Sequence, residues 1–332
     1  MGVEMVTRKQ SSQSELPGLE KNLTNRNLVA TVEALRERAG RRQSQLLPVR
    51  HPNQDFFVCA YVDYSVKDDQ ASMEAPFFTL STRPDTSQWH WKSKDGRRQV
   101  MVTPSVLGRA TIMDKDVLIY VISQVVMGLN DGQASAKSRK VRFVVYDYLV
   151  STNRQTGGSQ YEQMADALRR LKGTNIETNI ETGGKRVRRG FGLIDEWEIV
   201  ERSAEDERMI AVEVTLSEWL YNAVQAREVL TLSPDYFRLR RPLERRLYEL
   251  ARKHCGQQPS WQIGADLLRE KTGSRAEAKE FWRMLKQVAD SNTLPDYLMR
   301  CQVLRNKDRI VTFRLKNARQ QIDLVTDMLK SA

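Results

Sequence analysis

The residues of this sequence best suited to binding a ligand are basic side chains that lie close together just past its midpoint. They follow Gly183 and Gly184, a pair typical of a tight hairpin turn. Guanidinium and ammonium groups at a hairpin tip can neutralise phosphates or enter the minor groove of DNA. The candidate residues at this tip are Lys185, Arg186, Arg188 and Arg189.

A predicted helix precedes this hairpin and carries side chains that can read bases. Ser159 and Glu162 form an S-x-x-E pattern, which predicts a capping box at the start of the helix, and Gly173 predicts its end. Gln and Arg can form bidentate hydrogen bonds with base edges, so we expect the outer face to contact DNA. The buried face is predicted to hold Tyr161, Met164, Ala165, Leu168 and Leu171. The outer face and its border carry Gln160, Gln163, Arg169 and Arg170.

The hydrophobic period changes from helical to alternating after Gly173. Residues 174–182 place Thr or Ile on one side and Asn or Glu on the other, which predicts a half-buried strand. The return strand alternates again over 191–199. A capped helix followed by a two-stranded ribbon with a basic tip is the layout of a winged helix. We therefore interpret this stretch as a DNA-binding element.

The same order of elements recurs in the last third of the sequence. A helix that begins at Pro242, a short strand and a helix that ends at Gly273 precede Ser274 and Glu277, a second S-x-x-E pattern. The next helix has a clear apolar face opposite a basic stripe, and two strands joined by a basic turn follow it. The candidate residues of this half are Arg275, Lys279, Arg283 and Lys286 on the helix, and Arg305 and Lys307 in the turn.

These patterns predict an α+β fold class, with tandem winged-helix domains and a small antiparallel sheet at the N-terminal side. The helix predicted over 117–127 is apolar all round, so we expect it to be buried. Strand-like stretches between residues 55 and 104 predict the additional sheet. The expected domains are a flexible N-terminal arm (1–50), a first winged-helix domain with its N-terminal β extension (51–215), a linker (216–238) and a second winged-helix domain (239–332).

Composition favours a nucleic-acid-binding protein of the cytoplasm. The net charge of +11 favours nucleic acid or an anionic membrane surface as a partner. No apolar run reaches the roughly 18 residues of a membrane span, and no signal peptide is recognisable. Cys59, Cys255 and Cys301 are far apart, which fits a reducing compartment and provides no C-x-x-C zinc site.

Enzymatic motifs are not recognisable. Gly184 and Lys185 resemble the end of a P-loop, but Asn179 stands where Gly is needed and Arg186 where Ser or Thr is needed. The three histidines are too dispersed for a metal cluster or for the His-x-His pair of plasmid nicking enzymes. Asp114 fits a helix N-cap better than a Mg²⁺ site. We therefore expect no enzyme activity, no metal and no cofactor.

A third basic cluster lies at the start of the second half. It is compatible with phosphate binding where the two domains meet, and equally with simple exposure to solvent. Its members are Arg238, Arg240, Arg241, Arg245 and Arg246.

Several stretches of the sequence resemble RepA-type plasmid replication initiators, the iteron-binding Rep proteins of broad-host-range plasmids. The similarity covers roughly residues 55–317. Its most specific parts are GGSQYEQMADALRRLKGTNIETNIETGG and GFGLIDEWEI, and APFFTLSTRPDTSQWHW and VTPSVLGRATIMDKDVLIYVISQ lie upstream of them.

This resemblance implies tandem winged helices that bind direct repeats, or iterons, in double-stranded DNA at a plasmid origin. It also implies melting of an adjacent AT-rich segment and recruitment of a host initiator and helicase. Family members tend to form a homodimer that represses its own promoter, while the monomer is active in replication. From the residues alone, a winged-helix transcriptional regulator or autorepressor without a replication role stays an alternative.

Overall fold

Residues 46–47, 50, 65–181, 184, 188–201 and 209–316 are described by the computed structural model, and all of them lie in one compact unit. Within these ranges the chain forms a mixed α and β structure with small antiparallel sheets, as the sequence predicts. The arm expected over 1–50 lies almost wholly outside the described residues. So do residues 320–329, for which the sequence predicts a short terminal helix, and two residues of the basic hairpin tip, Lys185 and Arg186.

The first half of the described chain is built around the long helix α2. Its helices are α1 (Gln70–Glu74), α2 (Lys115–Asn130), α3 (Val145–Ser151), α4 (Gly158–Gly173) and α5 (Glu218–Gln225). Its strands are β1 (Lys67–Asp69), β2 (Trp89–Lys92), β3 (Gln99–Thr103), β4 (Lys140–Val144), β5 (Asn175–Thr178), β6 (Arg189–Gly192), β7 (Ile194–Glu201), β8 (Met209–Leu216) and β9 (Val229–Thr231). A 3-10 helix at Ala134–Lys137 separates α2 from β4.

The second half follows a 3-10 helix at Pro234–Arg238. Its helices are α6 (Pro242–His254), α7 (Ala265–Thr272) and α8 (Ala278–Ser291), and its strands are β10 (Ser260–Gly264), β11 (Tyr297–Val303) and β12 (Arg309–Leu315). Strand β12 pairs antiparallel with both neighbours, which gives a three-stranded sheet in the order β10-β12-β11. The order along the chain is therefore helix, strand, helix, helix, strand, strand.

The same order occurs in the first half as α2, β4, α3, α4, β7 and β8, with a three-stranded sheet in the order β4-β8-β7. The predicted basic hairpin does form, as β5 and β6, but it is inserted between α4 and β7. It extends a four-stranded sheet in the order β2-β3-β5-β6, in which Val102 lies opposite Ile176. The prediction that this hairpin is the wing belonging to α4 is corrected accordingly, since β7 and β8 occupy that position.

The alternation of residue types over 174–180 determines which side of the inserted hairpin is buried. Thr174, Ile176, Thr178 and Ile180 are all buried, so one side of β5 and of the residues beside it faces the protein interior. A strand with this period needs a covered face, and the first core covers it.

Two hydrophobic cores are present among the described residues. The first surrounds α2, whose Val117 and Val121 are fully buried, and includes Leu168 of α4. The second surrounds α6 and α8, with Leu247 and Phe281 at its centre. The complete burial predicted for the apolar helix α2 is confirmed over residues 115–123.

The segment 216–238, predicted as a linker, forms α5, β9 and a 3-10 helix instead. Trp219 and Leu220 of α5 are buried in the first core, whereas Tyr236 and Phe237 are buried in the second core. Strand β9 pairs with β1 near the start of the described chain. The connection is thus packed against both halves.

Both predicted S-x-x-E capping boxes are absent from the described helices. Helix α4 begins at Gly158, one residue before Ser159, with Gly157 at its N-cap and no capping side chain. Helix α8 has Glu277 at its N-cap, so the Ser274 hydroxyl lies too early and accepts a hydrogen bond from the Ala276 amide instead. Each pattern predicted a helix in the right region, but the chain turns into the helix at a different residue.

Of the strands predicted on the N-terminal side, the first, over residues 56–66, lies almost wholly outside the described residues. The stretch around Phe77 and Phe78 is a buried loop with one isolated bridge between Thr79 and Thr111, not a strand. Asp68 lies inside β1 and is completely buried, although aspartate is a residue type that strands disfavour.

Buried ion pairs join the two halves. Nζ of Lys115, at the start of α2, lies 2.6 Å from Oδ2 of Asp68 and 3.1 Å from Oε1 of Glu249 in α6, and the side chains of all three are 0% exposed. Next to them, Asp116 of α2 pairs with Arg245 of α6. Because removing charges from water is costly unless they are paired, these contacts tie α2 to α6.

Candidate nucleic-acid interface

Helix α8 separates an apolar face from a basic one. Phe281 and Leu285 are buried against α6 and the β10-β12-β11 sheet. Lys279, Arg283 and Lys286 lie on the opposite side and are exposed. The Arg283 guanidinium donates to both carboxylate oxygens of Glu280, at 2.8 and 2.7 Å, and Glu280 is itself exposed. The stripe predicted from the sequence is therefore present and open to solvent over three of its four residues.

The fourth residue of that stripe, Arg275, lies before α8 and not on it. Its guanidinium is 3.1 Å from Oδ1 of Asp85 and lies 5.5 Å from the ring centroid of Trp89. The placement of Arg275 on the reading face of the helix is therefore corrected: it contacts the N-terminal β extension, and its side chain is 48% exposed.

The turn between β11 and β12 projects into solvent beside α8. Arg305 and Lys307 are both exposed in this turn, as predicted, and Lys307 adopts a left-handed backbone with φ +69°. Arg309, at the base of the turn, donates to the Ala278 carbonyl at 3.3 Å and lies over the Trp282 ring. These contacts hold the basic turn and the start of α8 on the same side of the second half.

Helix α4 exposes fewer of its candidate residues than the sequence predicted. Gln163 is exposed, Gln160 is half-buried, and Arg169 is exposed with a 2.8 Å ion pair to Asp166. Arg170, in contrast, donates from Nε and Nη2 to the two carboxylate oxygens of Asp114, at 2.8 and 2.7 Å. These hydrogen bonds raise the pKa of Arg170 and hold it against the protein.

The predictions for Asp114 and Arg170 are corrected together. The Asp114 carboxylate does not cap α2, because it accepts from Arg170 and from the Thr111 amide at 2.8 Å. With two of its nitrogens engaged, Arg170 joins α4 to α2. Gln163 and Arg169 are therefore the candidate DNA-contacting residues that α4 exposes.

The inserted hairpin presents its basic residues on its own sheet. Arg188 is 80% exposed and pairs with Glu177 across the hairpin, while Arg189 lies 3.8 Å from Glu218. Both are available at the surface next to the tip, whose Lys185 and Arg186 lie outside the described residues.

The third basic cluster divides into buried and exposed members. Arg245 and Arg246 are each 2% exposed and bind backbone carbonyls and carboxylates at the joint between the halves. Arg238 pairs with Asp235 at 2.8 Å. Arg245 and Arg246 are not free to bind phosphate, because buried carboxylates and carbonyls already occupy their guanidinium groups, and Arg240 and Arg241 are the exposed members of the cluster.

A cleft that the sequence did not reveal lies beside α4. It has a volume of about 260 Å³ and is bounded by residues 81–84, residues 107–114 and the exposed edge of α4. Arg83 and Arg109 contribute to it, and neither belongs to a recognisable motif. Hydrogen bonds from the Arg109 amide and guanidinium to Asp85, two residues after Arg83, bring them together.

In the described part of the chain, His, Cys, Asp and Glu side chains form no group arranged to hold a metal ion. Nor does any helix within the described ranges combine the length and apolar character of a membrane span.

Comparison with known proteins shows to which family this chain belongs. Residues 67–299 match the model of a family described as replication initiator protein A, which covers more than half of the chain. The chain belongs to the replication initiator protein A family. A protein of Wigglesworthia glossinidia brevipalpis named as a putative replication protein is 38% identical over 264 residues, or 78% of this chain and 92% of that protein.

The resemblance stated from sequence is thus confirmed, and so is the role in replication initiation. Among solved structures, domains 2 and 3 of RctB match with a TM-score of 0.55 at 13% identity, covering 75% of this chain and 98% of that one. At that identity the likeness concerns the fold alone. It covers both halves of the replication initiator described here.

Proposed function

We propose that this replication initiator binds double-stranded DNA at direct repeats of a plasmid origin, through two winged-helix halves joined by a rigid packed connection. Each half has the order helix, strand, helix, helix, strand, strand and a three-stranded sheet in which the last strand lies in the middle. In winged helices this order places the third helix in the major groove and the turn between the last two strands beside it.

The proposal rests on the two faces of α8, one apolar and buried and the other basic and exposed. Its apolar side is fixed in the second core by Phe281 and Leu285, so Lys279, Arg283 and Lys286 must face outward. Side chains of this type can neutralise phosphates and donate to the N7 and O6 acceptors of guanine. The basic turn with Arg305 and Lys307 extends the same charged surface.

In the first half, α4 is the equivalent helix, with Gln163 and Arg169 as its reading residues. Two such helices on one face of DNA read major-groove segments about 34 Å apart, one helical turn of the duplex. The buried ion pairs between α2 and α6 would hold this separation fixed. A fixed separation selects repeats of one spacing.

The remaining steps follow from this binding. The bound initiator promotes melting of an adjacent AT-rich segment and recruits a host initiator and helicase in the cytoplasm, without catalysing a reaction or holding a cofactor itself. A homodimer would repress its own promoter.

Binding to repeat-bearing and scrambled duplexes, followed by fluorescence anisotropy, tests the proposal. Replacing Lys279, Arg283 and Lys286 together by Ala should weaken binding to the repeat at least about 100-fold, since each contact contributes roughly 1–3 kcal/mol. The matched control is Lys140→Ala with Arg142→Ala, two exposed residues of β4. Equal losses in the triple variant and in the control would refute the role of α8.

A further inference from the structure

Arg109 is buried with most of its hydrogen-bonding capacity unused. Its side chain is 1% exposed, and Nη2 donates to Oδ2 of Asp85 at 3.2 Å. Nε and Nη1 are also buried but have no hydrogen-bond partner in the described part of the chain. Buried polar groups are nearly always paired, so two unpaired N–H groups on one buried guanidinium require an explanation.

The neighbours of Arg109 cannot supply the missing acceptors. Asp85 also accepts from the hydroxyls of Thr79, at 3.0 Å, and Ser87, at 2.8 Å, and it pairs with Arg275 at 3.1 Å. The ring of Trp89, which lies 5.4 Å from the guanidinium carbon, offers a π-face but no lone pair. Desolvation and the nearby Arg275 lower the pKa of Arg109 to about 10, although Asp85 opposes this.

Arg109 lines the cleft beside α4, and the residues around that cleft are rich in positive charge and donors. One carboxylate, that of Asp114, is among its lining residues, and Arg170 already neutralises it. Arg83 is exposed at the rim, and its guanidinium makes no hydrogen bond or ion pair with the described residues. The cleft is also lined by Arg154 and Arg170 and by the side-chain amides of Gln160 and Gln163.

The size of the cleft limits the class of ligand. About 260 Å³ lies just below the range typical of sites for whole drug-sized molecules. A phosphate group with an attached sugar fits within this volume. Phosphate oxygens are also the acceptors that a guanidinium fork binds best.

We propose that this cleft binds a phosphate group, with Arg109 as its buried anchor and Arg83 as its exposed second ligand. The phosphate comes either from the backbone of bound DNA or from a small phosphorylated molecule. The first source rests on the proposed function, because Gln163 of α4 borders the same cleft. The second source is independent of DNA binding.

Four full-length proteins test the proposal: wild type, Arg83→Ala, Arg109→Lys and the control Arg142→Ala. Arg142 is exposed on β4 and does not line the cleft. Thermal unfolding is followed while inorganic phosphate replaces chloride at constant ionic strength. Wild type and the control should show a saturable rise in Tm of about 2–4 °C, and Arg83→Ala and Arg109→Lys should lose it.

Arg83→Ala keeps the test decisive even if Arg109→Lys folds poorly, because Arg83 lies at the surface. No saturable rise in the wild type, or an equal rise in all four proteins, overturns the proposal. The latter is the result expected of a general salt effect on stability.

A second arm identifies the source of the phosphate by measuring affinity for repeat-bearing duplex at several salt concentrations. If DNA supplies the phosphate, Arg83→Ala lowers the slope of log K against log salt by about 1. If a small molecule supplies it, Arg83→Ala loses the phosphate response and keeps the wild-type slope. A wild type that cannot distinguish repeat from scrambled duplex would refute the proposed function, while the phosphate response would still decide the cleft.

Discussion

Replacing Lys115 by Met should destabilise the protein, because it removes a buried ion pair that joins the two halves. Its ammonium is 2.6 Å from Asp68 and 3.1 Å from Glu249, with all three side chains fully buried. Burial disfavours the charged form, but the two carboxylates outweigh it and raise the pKa of Lys115, so the group stays charged. Without it, Asp68 loses its buried cation, and Glu249 retains Arg246 at 3.1 Å.

The expected cost is about 3–5 kcal/mol, the range for breaking a buried pair by removing one partner. For a chain of 332 residues, with an unfolding entropy of roughly 2.1 cal/mol/K per residue, that corresponds to a fall in Tm of about 4–7 °C. Urea denaturation followed by circular dichroism measures the free energy of unfolding directly. Lys140→Met is the matched control, because its pair with Glu213 is largely exposed and should contribute little.

A second substitution should rescue the variant. Combining Lys115→Met with Asp68→Asn removes the uncompensated carboxylate, while Glu249 keeps Arg246 as its partner, and should restore much of the lost stability. A loss below about 1 kcal/mol for Lys115→Met, or no recovery in the double variant, would refute the view that these charges hold the halves together.

Three further outcomes follow from the described contacts. Glu74, which accepts from Lys271 at 2.6 Å and lies 3.0 Å from His254, has a pKa held well below 4.5 by these partners despite its burial. Its stabilisation is fully present above the unfolded-state pKa of 4.5 and is lost as pH falls below it, so Glu74→Gln should flatten the acid limb of a stability profile below about pH 5; an unchanged limb would contradict this. Arg170→Ala should lower the free energy of unfolding by about 1–3 kcal/mol, because it leaves the buried Asp114 without its cation. The same variant should keep the wild-type base preference on repeat DNA; a changed preference would show that Arg170 contacts bases. Gly273→Ala should lower the free energy of unfolding by at least about 1–2 kcal/mol, since φ is +72° and the new Cβ would lie 2.7 Å from Cβ of Pro76. Gly264→Ala serves as the control, because its new Cβ would meet no atom within 4 Å.

Local patterns in the sequence predicted the elements but not the partners they choose. Alternation over 174–180 predicted both a strand and its buried side, because burial follows from period two alone. The same alternation holds whether the hairpin joins β7 or β3. Pairing of β4 with β8, more than 60 residues later, decides which strands belong with α4, and no local signal encodes it.

Local sequence patterns also could not predict which charged side chains are buried. Arg245 and Arg246 look like a basic surface in the sequence, yet Asp116 and Glu249 enclose them in the fold. Arg170 has helical spacing that places it beside Gln163, but Asp114 of another helix holds it. The stripe on α8 was predicted more accurately, because its large apolar face leaves only one orientation for Lys279 and Lys286.

A hydroxyl-radical footprint of the protein on its own origin tests the central claim most directly. Two reading helices held rigidly together predict, in each repeat, two protected patches on one face of the duplex, about 10–10.5 base pairs apart. The patch that belongs to α8 should disappear when Lys279, Arg283 and Lys286 are replaced by Ala, while the other patch persists. A single protected patch per repeat, or protection without regard to sequence, would contradict the account.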